Sequence, residues 1–151
     1  MRPRDIVRLD PADFRSETCC VGEQLVELLR VIQALRPGLK WYVADVQTIG
    51  PSPVPRREPV PILIGDTGAL IQAAQRVDQF ESGVFAGVPS SIGQAGFRSG
   101  GLWTEDEEAA DLGDAVVEVR AFDTSYWSVA TADSVLARNI LERIGERCNS
   151  S

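Results

Sequence analysis

Ala115-Val116-Val117-Glu118-Val119-Arg120-Ala121-Phe122, then Asp123-Thr124-Ser125, then Tyr126-Trp127-Ser128-Val129-Ala130-Thr131 is the run that decides the fold. Val117, Val119 and Ala121 alternate with Glu118 and Arg120, the period of a strand with one buried and one partly wet face. Asp123-Thr124-Ser125 is turn chemistry, so the two runs are expected to form a β-hairpin. A hairpin alone is marginal in water and needs further strands and a packing layer. Working back along the chain, Val84 to Val88 reads as a short apolar strand closed by Pro89, with Ser82-Gly83 turning the chain before it. Lys40 to Ile49 reads as a central strand, with Tyr42, Ala44 and Val46 on one face and Trp41, Val43, Asp45 and Gln47 on the other. Ile6 to Leu9 supplies a fifth, short strand.

Three helices are expected to cover this sheet. The first runs from a cap at Ser16 or Thr18 to about Arg36, with Val21, Leu25, Leu28, Leu29, Ile32 and Leu35 as one stripe and Pro37-Gly38 as the stop. The second starts from a cap at Asp66 after Ile62-Leu63-Ile64-Gly65 and ends near Phe80. The third runs from Thr131 or Asp133 to about Arg147, with Leu136, Ala137, Ile140, Leu141 and Ile144 inward. The order β-α-β-α-β-β-β-α implies an α+β fold. Residues 1–151 form a single domain, a mainly antiparallel sheet of about five strands with three helices packed on it. Two long connections interrupt the pattern: a Pro-rich surface loop over 50–61 and a Gly-rich, acidic loop over 90–114, the latter expected to be mobile.

Composition removes several mechanisms. The 151 residues include no histidine and three cysteines, two of them adjacent at Cys19 and Cys20, which excludes Ser-His-Asp, Cys-His and His-based metal chemistry within this chain. Adjacent cysteines bridge with difficulty, so reduced thiols and a cytoplasmic setting are expected, without signal peptide or membrane span. The charge balance is more telling. The chain has 22 acids and 15 bases, a net charge of −7, and Glu105, Asp106, Glu107, Glu108, Asp111 and Asp114 fall in one window that contains no base. Such a patch repels nucleic acid and membrane surfaces and attracts a basic protein partner.

Other strings have plainer explanations. Asp66-Thr67-Gly68-Ala69 superficially resembles an aspartic-protease signature, with Asp123-Thr124-Ser125 as a second copy, but a helical face follows the first and 151 residues cannot hold two lobes. A helix cap and a turn residue account for both. Gly65-Asp66-Thr67-Gly68 lacks the ending of a phosphate-binding loop. Glu105-Asp106-Glu107-Glu108 lacks the alternating ligands of a calcium loop, so no metal and no cofactor are expected. Trp41, Tyr42, Phe122, Tyr126 and Trp127 are expected in the core, whereas Trp103, between glycines and acids, is a candidate anchor for a partner. No catalytic set is read. Asp45 on its strand is the single attractive carboxylate for a runner-up enzyme reading, and a pocket between sheet and Gly-rich loop would serve a small-molecule-binding or regulatory domain.

Trp41-Tyr42-Val43-Ala44-Asp45-Val46, Gly83-Val84-Phe85-Ala86, Trp103-Thr104-Glu105-Asp106 and Glu118 to Tyr126 together resemble small bacterial cytoplasmic immunity-like proteins encoded beside polymorphic or contact-dependent toxins. The resemblance implies a protein that neutralises a cognate toxin domain by binding it, and it carries no residue roles. The charge argument supplies them: Glu105, Asp106, Glu107, Glu108, Asp111 and Asp114 would face a basic active-site cleft, with Trp103 as apolar anchor.

Overall fold

Six strands form one antiparallel sheet in a computed structural model that describes residues 5–50, 52, 60–107 and 111–145. The strands are β1 (Asp5–Leu9), β2 (Leu39–Ile49), β3 (Ile62–Asp66), β4 (Gln79–Pro89), β5 (Val117–Phe122) and β6 (Tyr126–Thr131), and their order across the sheet is β1-β6-β5-β4-β2-β3. The helices are α1 (Gly22–Leu35), α2 (Thr67–Ala74) and α3 (Ser134–Ile140), the last continuing as one π-helical turn, Leu141–Gly145. The α+β class and the antiparallel sheet stand as expected, with one strand more than read from the sequence. That strand is Ile62–Asp66, an edge strand antiparallel to β2, whose three apolar residues sit too close to the Asp66 cap to advertise a separate element.

The hairpin at the centre of the argument forms as read. Phe122 faces Tyr126 across it, and the Ser125 N–H donates to the Phe122 carbonyl at 2.8 Å. Asp123 and Thr124 take φ of 48° and 55°, the positive values that a tight hairpin turn requires of both central residues.

Helix boundaries moved for identifiable reasons. Ser16 and Thr18 do not cap α1. The preceding chain makes a 3-10 turn, Pro11–Phe14, capped by Asp10, and Ser16 bonds Thr18. The start of α1 is set instead by Gln24, whose side chain accepts from the Val21 N–H at 3.2 Å and from Trp127 Nε1 at 3.1 Å, and donates to the Thr18 carbonyl at 2.9 Å. Gly22 allows the helix to begin there: a Cβ would lie 2.2 Å from both the Ala74 and Val77 carbonyl oxygens. α2 ends at Ala74 rather than near Phe80, and β4 begins at Gln79. Ser82-Gly83 therefore lies inside a long strand and turns nothing. The expected end of the last helix near Arg147 lies outside the described residues, as does Cys148, and so do residues 51 and 53–59 of the Pro-rich loop. Asp66 caps α2 by accepting from the Ala69 N–H, and Asp133 caps α3 by accepting from Val135 and Leu136.

The helices cover one face of the sheet. Leu25, Leu28, Leu29 and Ile32 of α1 and Leu136 and Ile140 of α3 are buried with Trp41, Phe80, Phe85, Val119, Trp127 and Val129. Phe80 lies edge-on to Phe85 and Trp127, with ring centroids 5.2 and 6.0 Å apart. Trp41 Nε1 donates to Thr67 Oγ1, so this buried indole is satisfied at the start of α2. Of the expected core aromatics, Trp41 and Trp127 are fully buried. Tyr42 faces the other side, and Phe122 and Tyr126 stack half-buried at the hairpin.

Candidate functional site

The opposite face of the sheet is not left to solvent. Ala44, Val84, Ala86, Val88 and Ala130 project from it and are buried under Leu102, Leu112 and Ala115, with Tyr42, Ile92, Ala95 and Phe97 packed at the margin. The Gly-rich, acidic connection between β4 and β5 is thus a cover. Its apolar side chains fill the space between sheet and loop, and backbone pairing fastens its ends: Ser90 N–H to the Gly38 carbonyl, Val116 N–H to the Gly87 carbonyl, and Asp114 N–H to the Gly96 carbonyl. The connection expected to be a loose loop is packed on the sheet through Leu102, Leu112 and Ala115.

Buried charge holds the cover down. Glu118 and Arg120 alternate out of β5 as read, but their face is dry: they are 1% and 4% exposed. Arg98, from the loop, bonds both Glu118 carboxylate oxygens at 2.9 and 3.0 Å and Asp106 Oδ2 at 2.9 Å through Nε. Arg120 bonds Glu118 at 2.9 Å and reaches the carbonyls of Asp106 and Glu107. Burial works against the Arg98 charge, and the carboxylates of Glu118 and Asp106 overcome it, so its pKa is raised.

A second anchor starts from a bulge in β2. Ala44 pairs with Val84 and Gln47 with Ser82, so Asp45 and Val46 together oppose Gly83 alone. Asp45 sits in the left-handed region, φ 51°, and the extra residue reverses the alternation. Asp45 therefore leaves the face of Trp41 and Val43, where the sequence placed it, and joins the face under the loop, while Val46 turns to the helix side. Its carboxylate, 1% exposed, accepts from the Thr104 N–H at 3.0 Å. Thr104 Oγ1 in turn accepts from the Gly83 N–H, and Ser82 Oγ donates to the Asp45 carbonyl. In this arrangement Asp45 positions the loop.

The structure divides the acidic window: Glu105 lines a cleft at the Ser82 and Phe122 end of the sheet, whereas Asp111 and Asp114 line a separate recess with Arg36 and Pro89. Asp106 turns inward to Arg98 and accepts from the Trp103 N–H at 3.0 Å. Glu105, Glu107, Asp111 and Asp114 are exposed, and Glu108 lies outside the described residues. Asp111 and Asp114 also brace the loop by accepting from the N–H groups of Gly113 and Gly96. Trp103 is 39% exposed, with its indole N–H on the Gly100 carbonyl. The fold adds acids that no sequence window contained. A cleft of about 590 Å³ opens beside Glu105, lined by Asp45, Gln47, Glu81, Ser82, Thr104, Phe122 and Asp123 as well. Four acidic residues from four separate stretches of chain thus line one recess, Asp45 with its carboxylate buried on Thr104, and no Lys or Arg is among its described lining residues. Glu81 and Asp123 were missed because each looks like an ordinary surface acid in sequence; only the register of β4 against β2 and β5 brings them beside Glu105.

Comparison with family models, with curated proteins and with solved structures finds no match to this chain. No group of three or more potential metal ligands converges among the described residues, and no helix there is long and apolar enough to cross a membrane.

Proposed function

We propose that this chain is a binding protein that neutralises a basic protein partner, of the kind a toxin domain with a cationic, phosphate-binding cleft would be, by presenting the acidic face built around residues 103–114. The observation that carries the reading is the cleft lined by Glu81, Glu105 and Asp123, with Asp45 buried in its wall. Concentrating one sign of charge in a recess focuses potential and speeds capture of an oppositely charged surface. The rigid base matters equally. A loop already packed on the sheet through Leu102 and Leu112 and clamped through Arg98 loses little conformational entropy on docking. Half-exposed Trp103 stands within the same segment as an apolar anchor. The resemblance to immunity-like proteins supports a toxin as the partner class.

The test is capture of a basic protein at low ionic strength, followed by assay of that protein's activity with and without this chain. The reading expects tight capture, inhibition at equimolar ratio, and weakening at about 0.5 M salt, where screening shortens to a few ångströms. Capture that survives neutralisation of Glu105, Glu107 and Asp111 unchanged would refute it.

A further inference from the structure

Cys19 and Cys20 precede α1, where the chain leaves the 3-10 turn and enters the core. Neighbouring side chains on an extended strand point to opposite sides. Here they converge, because Cys20 takes φ of 65°, a left-handed conformation uncommon for a side chain other than glycine or asparagine. The two Sγ atoms lie 3.6 Å apart, and both residues are buried, 1% and 0% exposed. Sulfurs in contact inside a packed core leave no room for an ion between them, but they are placed to bond to each other. The carbonyls of the pair are tied to β4: Cys20 accepts from the Phe80 N–H at 2.7 Å and Cys19 from Gln79 Nε2 at 2.8 Å. The Cys20 thiol also has the Tyr126 carbonyl in reach at 3.4 Å, beside the turn of the hairpin that carries Phe122 and Asp123 into the acidic cleft.

We propose that Cys19–Cys20 is an oxidative modification site, closed by a peroxide into a vicinal disulfide that loosens the β5–β6 hairpin. Cys19 is the nucleophile: the hydrogen bond from the Cys20 thiol favours its thiolate and lowers its pKa. That bond and burial raise the Cys20 pKa, keeping it a thiol. The Cys19 thiolate attacks one peroxide oxygen, the O–O bond breaks, and Cys19 sulfenic acid forms while hydroxide leaves and is neutralised to water by the proton that Cys19 released on ionising. Cys20 sulfur then attacks the sulfenic sulfur, the S–O bond breaks, and the hydroxyl leaves as water with the Cys20 proton. Two thiols lose two electrons and two protons, and one peroxide becomes two waters. Adjacent Cα atoms are about 3.8 Å apart, closer than the roughly 4.4–6.8 Å of an ordinary bridge, so the bond is readily reduced and the modification reversible. The reagent enters through local opening of the segment before α1, which sets the rate. The one Cys20 proton is available to the Tyr126 carbonyl while Cys19 is a thiol and turns to the Cys19 sulfur when that ionises; closure removes it altogether.

The test uses the full chain carrying Cys148→Ser, so that two thiols remain, and wild-type protein with peptide mapping in parallel. Each is treated with hydrogen peroxide in native buffer, then alkylated under denaturing conditions and weighed. The expected result is a monomer lighter by two hydrogen atoms, with both thiols lost together, the bond mapped to a Cys19-Cys20 peptide, and full recovery with dithiothreitol. Hydrogen exchange at Phe122–Tyr126 should then be at least about threefold faster in the oxidised protein. Two thiols still alkylated in the folded chain, oxygen gained without loss of hydrogen, or covalent dimers would each overturn the proposal. Closure only in a urea-unfolded control would overturn it as well.

Discussion

At Glu118 the cost of removing a carboxylate from water is offset by two guanidinium groups, one from its own strand and one from the loop above. Arg98 is the member that joins loop to sheet. Arg98→Met leaves a buried carboxylate with one guanidinium partner instead of two and leaves Asp106 with the Trp103 N–H but no cation; we expect a loss of about 3 kcal/mol in urea unfolding, at the lower end for breaking a buried pair because Arg120 remains. Asp45 makes a sharper comparison, since its role combines an acceptor for Thr104 with a left-handed backbone. Asp45→Asn keeps an oxygen and a residue at ease in that region, so it should cost less than about 1 kcal/mol, whereas Asp45→Val loses both and should cost more than about 2 kcal/mol. Asp133 gives a pH-dependent case. The backbone N–H of Leu136, with Arg36 at 3.1 Å, holds its carboxyl below the ordinary value of 3.8. A carboxyl depressed in the folded state stabilises above its unfolded value and loses that contribution as pH falls through the folded one. Asp133→Ala should therefore cost about 1 kcal/mol at pH 7, with the gap to wild type closing below about pH 3.8 as acid titration proceeds, followed by thermal unfolding at each pH.

Among the elements, the junction of α1 with the end of α2 is the least tolerant of added volume. Gly22→Ala drives a methyl into two carbonyl oxygens and should destabilise by about 3 kcal/mol, whereas Gly93→Ala, with open space around it, should be near neutral beyond its backbone effect in the same denaturation assay. The elements also show what was readable in the chain and what was not. The hairpin, the α1 stripe, the caps at Asp66 and Asp133 and the Asp123 turn rest on local chemistry, and local chemistry is what a sequence displays. The cover over the second face of the sheet rests on contacts between distant residues. One signal did exist: Val84-Phe85-Ala86-Gly87-Val88 is apolar on both faces, the mark of a strand buried on both sides, so something had to lie across Val84, Ala86 and Val88. Phe97, Leu102 and Leu112 in the following connection were the material for it. The Asp45 bulge had no comparable signal, because an aspartate in a strand looks the same before and after the alternation slips. The acidic window was legible as composition, but its inward-facing member, Asp106, and its recruits, Glu81 and Asp123, became distinguishable only through the register of the sheet.

For the molecule as a whole, we propose that where the charge sits, rather than its sum, selects the partner. Helices occupy one side of the sheet and the acidic cover the other, so equal changes in net charge can be made at well-separated places. One variant carries Glu105→Gln, Glu107→Gln, Asp111→Asn and Asp123→Asn; its match carries Asp5→Asn, Glu17→Gln, Glu23→Gln and Glu142→Gln, all exposed residues. Both gain the same charge, so general solubility and long-range attraction change alike. The decisive measurement is the amount of basic partner each retains at low salt, relative to wild type and with folding confirmed by melting temperature. The account expects the second variant to hold the partner as wild type does and the first to lose at least about tenfold in affinity, since near-contact charges act over roughly a Debye length. Equal retention by the two variants, or a greater loss from the second, would contradict the claim that this face is the binding surface.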